Sequence, residues 1–202
     1  MKKFFAFPVN ILTLSSFLRI IESMKDTAWK NEKGKHVAKK WILRLVLTAL
    51  CIATMAFIFS NSLQTGEESG VQSSFVTVAV QKIFRVFAPN SWIATATGEA
   101  YEKLHGVIRT LAHFSEFALL GALLVWCWRA YTKDPLFLLV PVCLVVLTPI
   151  VDECLQTLSA GRVAAISDVC TDTLGGVCGC VFAGLTLLIA LAIKRRKKAN
   201  TQ

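Results

Sequence analysis

The 202-residue chain is 54% apolar and 17% charged, with a mean hydropathy of +0.57. That balance excludes a disordered chain and an ordinary soluble domain. The net charge of +9 would point to nucleic acid in a soluble protein, but in so apolar a chain it reads as membrane topology, with no nucleic-acid partner.

Residues 1–40 form a basic N-terminal segment. Lys2-Lys3 followed by Phe4–Leu18 has the first two regions of a signal peptide, but no small-x-small cleavage site follows, and Pro8, Asn10, Ser15, Ser16 and Arg19 break the run. The expected structure is an amphipathic helix on the inner membrane surface, with Phe17, Ile20 and Ile21 in lipid and lysines on anionic headgroups. Membrane lipids are therefore expected partners.

Residues 41–193 contain four apolar runs, Trp41–Ser60, Val107–Trp128, Pro135–Val151 and Leu174–Ile193. Each is near the length a helix needs to cross about 30 Å of hydrocarbon. The fold class is thus all-α, a polytopic membrane protein with four transmembrane helices. Between the first two spans, Phe75, Val76, Ala79, Ile83, Val86 and Phe87 recur at helical spacing, with Gln72, Thr77, Gln81, Lys82 and Arg85 opposite. This predicts a second amphipathic helix, lying on the outer surface, partly re-entering, or packed on the bundle. Residues 194–202 are a basic tail. Seventeen of the 22 basic residues fall on the side of the two termini, which predicts a multi-pass protein of the cell membrane with both termini cytoplasmic.

Polar residues at membrane depth gather on the predicted outer side. Arg109, His113 and Glu116 share one face of the second span at i, i+4, i+7. Asp152, Glu153 and Gln156 follow the third span, Arg162 and Ser167 lie in or beside the next loop, and Asp168 and Asp172 open the fourth span. Gly175 and Gly179 continue the face of those two aspartates and predict a groove for a neighbouring helix. Ionisable groups inside the apolar slab cost about 2.5–3.5 kcal/mol each and persist where they pair or line a wet cavity. Five acids, Glu116, Asp152, Glu153, Asp168 and Asp172, face two arginines, so some acid is protonated, hydrated or bound to a cation. One reading is a structural network in which the arginines neutralise carboxylates; the other is an outward-facing pocket. Of seven cysteines, Cys154 and Cys170 alone lie in or next to an outer loop where a disulfide could form. No zinc spacing, phosphate loop or GxSxG is present.

The string Ala112-His113-Phe114-Ser115-Glu116-Phe117 with Gly121 resembles the HF-x-E-[FY]…G helix of VanZ-like membrane proteins. Asp152-Glu153-Cys154-Leu155-Gln156, then Gly161-Arg162 and Ile166-Ser167-Asp168-Val169, is similar to that family's DE-x-x-Q…GR-x…SD-[VL] segment. Asp172-Thr173-Leu174-Gly175-Gly176 resembles its N-T-x-G helix start, with Asp where Asn is usual. The resemblance spans about residues 41–193. It implies a four-span bacterial envelope protein, in a family whose namesake is associated with teicoplanin-type glycopeptide resistance.

Three functions follow. The first is a non-enzymatic envelope protein binding a lipid-linked or glycopeptide headgroup, with Arg109 and Arg162 on phosphate or carboxylate and Gln156 and Ser167 on sugar or peptide. It needs no cofactor. The second is a membrane hydrolase or transferase, in which Glu116, Asp152, Asp168 or Asp172 beside His113 binds a divalent cation and Glu153 serves as base. The third, a transporter, is disfavoured by a cytoplasmic half nearly empty of polar groups. Oligomeric state stays open.

Overall fold

Residues 32–134 and 138–200 are described by the computed structural model, and they are helical throughout apart from short connections. The N-terminal amphipathic helix expected before residue 32 lies outside them. The helices are α1 (Glu32–Ser62), α2 (Gly66–Phe87), α3 (Trp92–Thr95), α4 (Glu99–Tyr131), α5 (Leu139–Gln156) and α6 (Ile166–Ala199). Among the described residues, four stretches are long and apolar enough to cross a bilayer: Val37–Ser62, Glu99–Tyr131, Leu139–Gln156 and Ile166–Ala199.

The chain divides into two units, Met1–Val46 and Leu47–Gln202, with the boundary inside α1. In the first, the Arg44 guanidinium lies 5.0 Å from the Trp41 ring centroid, an amphipathic pairing suited to the membrane interface. The second holds everything that follows.

Its core is a layer of apolar side chains from three helices. Ile58 of α1, Phe117 and Leu120 of α4 and Val145 of α5 are almost wholly buried against one another. The most extensive helix contact is between α4 and α6, and glycine explains it. A Cβ at Gly121 would collide with the Gly176 carbonyl, one at Gly175 with the Phe114 carbonyl, and one at Gly179 with the Ala118 carbonyl. The helices therefore touch backbone to backbone, as small residues permit in membranes. The groove expected from Gly175 and Gly179 is filled by α4. Further along, the Trp126 indole N–H donates to Thr186 Oγ1 at 3.1 Å.

The spans are longer than the apolar runs suggested, because their polar ends continue in helical geometry. For the third, α5 carries Pro149 inside the helix and runs to Gln156, so Asp152, Glu153 and Gln156 belong to its last turns.

Helix α2 begins with a capping box: Thr65 Oγ1 accepts from the Glu68 N–H at 3.2 Å, and Glu68 Oε2 accepts from the Thr65 N–H at 3.1 Å. Two residues of its polar face, Thr77 and Gln81, turn inward. Thr77 is 0% exposed, whereas Phe75 is 77% and Phe87 84% exposed. Gln81 Nε2 donates to the Ile93 and Ala96 carbonyls at 3.1 and 3.0 Å, and Arg85 Nε donates to the Ala94 carbonyl at 3.1 Å. These bonds satisfy the backbone of the short α3 turn.

Candidate functional site

Four chain segments meet at one end of the second unit: the end of α1, the first half of α4, the end of α5 and the start of α6. At their centre is Asp152, 0% exposed. Ser62 donates its hydroxyl to Asp152 Oδ1, and Gln156 Nε2 donates to Oδ2 at 2.9 Å. Asp152 thus ties α1 to α5 while holding a carboxylate in the interior, where such bonds are needed to offset desolvation.

The loop 157–165 closes this end. Gly161 adopts φ +76°, a conformation that favours glycine, and it turns the chain so that Arg162 reaches inward. The loop is fixed from two sides. Gly66 N–H donates to the Ala160 carbonyl at 3.0 Å, in packing so tight that a Cβ at Gly66 would come 2.7 Å from the Gly161 carbonyl. Glu153 Oε1 accepts from the Ala165 N–H, and Ser159 Oγ donates to the Ser62 carbonyl at 3.0 Å.

Between these segments lies a cavity of about 410 Å3. Arg109, His113, Gln156, Arg162, Asp168 and Asp172 line it. A second cavity of about 210 Å3, toward α2, is lined by Arg109, His113, Glu116 and Arg162 with Ser69 and Ser73. Arg109, His113 and Arg162 therefore border both.

The arginines are not spent on carboxylates. Neither Arg109 nor Arg162 forms an ion pair with a described acid. Arg162 donates from Nη2 to the Asn61 carbonyl at 3.3 Å, while its Nε and Nη1 are buried without a partner. Burial pushes this guanidinium below its ordinary value, the nearby Arg109 charge pushes the same way, and Asp152 and Glu153 oppose both. No direct arginine–carboxylate ion pair therefore forms at this site among the described residues, although Asp152 and Glu153 act on Arg162 electrostatically.

Of the ten residues singled out in the sequence, six line the larger cavity and Glu116 lines the smaller. Asp152 lies beneath. Glu153 is buried with its carboxylate on the Ala165 amide, which makes it a tether for the loop rather than part of the cavity wall. Ser167 is exposed and bonds Asp168 Oδ1 at 3.1 Å, also outside the wall. Cys154 and Cys170 are free thiols, so no disulfide joins them. Thr110 and Thr171 also lie on the cavity wall; in the sequence only their positions next to Arg109 and Asp172 signal them. Ser62 closes the first span next to Ser60 and Asn61, and its partner Asp152, 90 residues away, is not legible from the sequence.

The family model VanZ/LLP1 matches residues 47–189. The chain belongs to the VanZ/LLP1 family. Searches of curated proteins and of solved structures found no match. The region matched contains all ten candidate residues, so the cavity is built from the VanZ/LLP1 portion of the chain. Within it, the strings that resemble VanZ-like motifs fall on the three helices that converge: His113 and Glu116 on α4, Asp152 to Gln156 on α5, and Asp168 and Asp172 on α6.

Proposed function

We propose that this VanZ/LLP1 chain is a protein of the cell membrane, with both termini cytoplasmic, that binds the anionic headgroup of a lipid-linked or glycopeptide molecule in the cavity beside Arg109 and Arg162. The observation that carries this reading is the pair of buried nitrogens on Arg162 that have no partner. Burying donors of a charged group without acceptors is unfavourable. A phosphate or carboxylate entering the cavity would supply acceptors in the bidentate geometry that guanidinium prefers. Gln156, Asp168 and Thr171 on the same wall offer hydrogen bonds to a sugar or peptide portion. The excess of basic residues near the termini supports placing the cavity on the outer side, and the family's association with teicoplanin-type resistance supports an envelope component as ligand.

The test uses detergent-purified full-length protein with a polyprenyl diphosphate as probe and the neutral polyprenol as control. Arg162→Ala is expected to weaken diphosphate binding at least tenfold while leaving the melting temperature unchanged or higher, because the residue removed was under-satisfied. In cells, the same variant should lose any protection against teicoplanin-type glycopeptides while keeping its expression. Equal binding of diphosphate and polyprenol, or a lower melting temperature in step with lost binding, would return Arg162 to a structural role.

A further inference from the structure

We infer that His113, Asp152 and Asp172 together bind one divalent transition-metal ion at the floor of the larger cavity. The three residues come from α4, α5 and α6, and one ligating atom of each lies within 4.8 Å of the other two. Proximity of acidic groups alone would not suffice, since carboxylates cluster for many reasons. Two further observations point to a ligand. Asp172 is 3% exposed, lines the cavity, and receives no hydrogen bond from any described residue. His113 also faces the cavity, and its Nδ1 is buried without a partner. A buried carboxylate and a buried imidazole nitrogen, both unspent and on residues that border one space, are groups that a shared cation would satisfy.

Asp152 supplies what a ligating carboxylate needs around it. Its oxygens accept from Ser62 and Gln156, and each still has a lone pair to give. Outer hydrogen bonds of this kind orient a metal-bound carboxylate. The spacing between His113 and Asp172 is held by the helix seam, where Gly175 meets Phe114 and Gly179 meets Ala118. Ligands on Zn2+ stand about 3.3–3.6 Å from one another when their bonds are about 2.0–2.2 Å. The three side chains would therefore draw in by about 1 Å, within the reach of χ rotation on fixed helices.

The donor set selects the metal class. One imidazole nitrogen with two carboxylates suits Zn2+ and its first-row neighbours, whereas Ca2+ and Mg2+ favour all-oxygen shells. Three protein ligands leave a coordination position open toward the cavity. Resting on the headgroup reading above, a phosphate oxygen in that position would be shared between the ion and the unpaired nitrogens of Arg162.

The experiment uses full-length protein in detergent, stripped with a chelator and titrated with Zn2+, and read by calorimetry, metal content and thermal melting. We expect one Zn2+ per chain and a higher melting temperature with Zn2+ but not with equal Ca2+ or Mg2+. His113→Gln and Asp172→Asn should each weaken Zn2+ binding at least tenfold, and His105→Gln, a histidine outside the cluster, should not. Co2+ provides a second readout: its visible absorption bands in wild-type protein should disappear in His113→Gln, provided that variant melts like metal-free wild type. Substoichiometric Zn2+ in wild-type protein, or unchanged binding in both cluster variants, overturns the site. Failure of the headgroup reading looks different, since Arg162→Ala should keep its Zn2+ while diphosphate binding is absent from wild type as well. Diphosphate binding that survives both chelation and His113→Gln would retain the headgroup and overturn the sharing of a phosphate oxygen between the ion and Arg162.

Discussion

Ser62 and Asp152, 90 residues apart in the chain, share a hydrogen bond in a place where both are buried. The Ser62 hydroxyl also lies 3.0 Å from the Ile58 carbonyl of its own helix, but the carboxylate is the stronger acceptor. Ser62→Ala would leave Asp152 with one donor, and we expect a loss of about 1.5–3 kcal/mol. Thermal melting in detergent measures it, and an unchanged melting temperature would mean that water replaces the hydroxyl.

The glycine seam makes a contrasting pair of predictions on a single helix. Gly179→Leu should destabilise strongly, by more than the about 1–3 kcal/mol typical of overpacking, because its Cβ would enter the Ala118 carbonyl. Gly184→Ala meets nothing within 4 Å and should be neutral or stabilising by about 0.4–1 kcal/mol. Comparable melting temperatures for the two variants would contradict the backbone contact.

Helix α2 gives a third test. Gln81→Leu would orphan two carbonyls, a buried one at Ala96 and a half-buried one at Ile93, at a cost of about 1–3 kcal/mol. Phe87→Ser, on the exposed side, should leave the fold intact and act only on how the helix partitions into lipid. A larger melting shift for Phe87→Ser than for Gln81→Leu would reverse the orientation of the helix.

Topology can be read by cysteine labelling in an otherwise Cys-free variant. Glu99, at the start of α4, and Asn200, after α6, are both exposed. Glu99→Cys should react with an impermeant thiol reagent on intact cells and Asn200→Cys should not. The opposite pattern would turn the cavity toward the cytoplasm.

The four spans were legible because about 20 consecutive apolar residues have few other uses. Much of the cavity wall was legible too, since Arg109, His113, Asp168 and Asp172 are costly at that depth and helical spacing fixes which face they share. The orientation of α2 was not. Its pattern shows two faces, but only the bundle decides which is inside, and here Gln81 turns inward to the carbonyls of Ile93 and Ala96 and Thr77 is buried beside it, while Phe75 and Phe87 turn out. The partner of Glu153 was not legible for a related reason: it is a backbone amide, on Ala165, that no side-chain pattern reveals.

The direct backbone contact between α4 and α6 has a mechanical consequence. Two helices that touch main chain to main chain cannot slide or splay without opening a void along the glycine seam, so this stretch acts as a stiff keel. His113 and Asp172 ride on that keel at a fixed separation. Compliance is left to the strap at 157–165, which is pinned at Gly66, Ser62 and Glu153 by a handful of hydrogen bonds. Amide exchange should therefore be faster at Ala165 than at Gly175 by orders of magnitude.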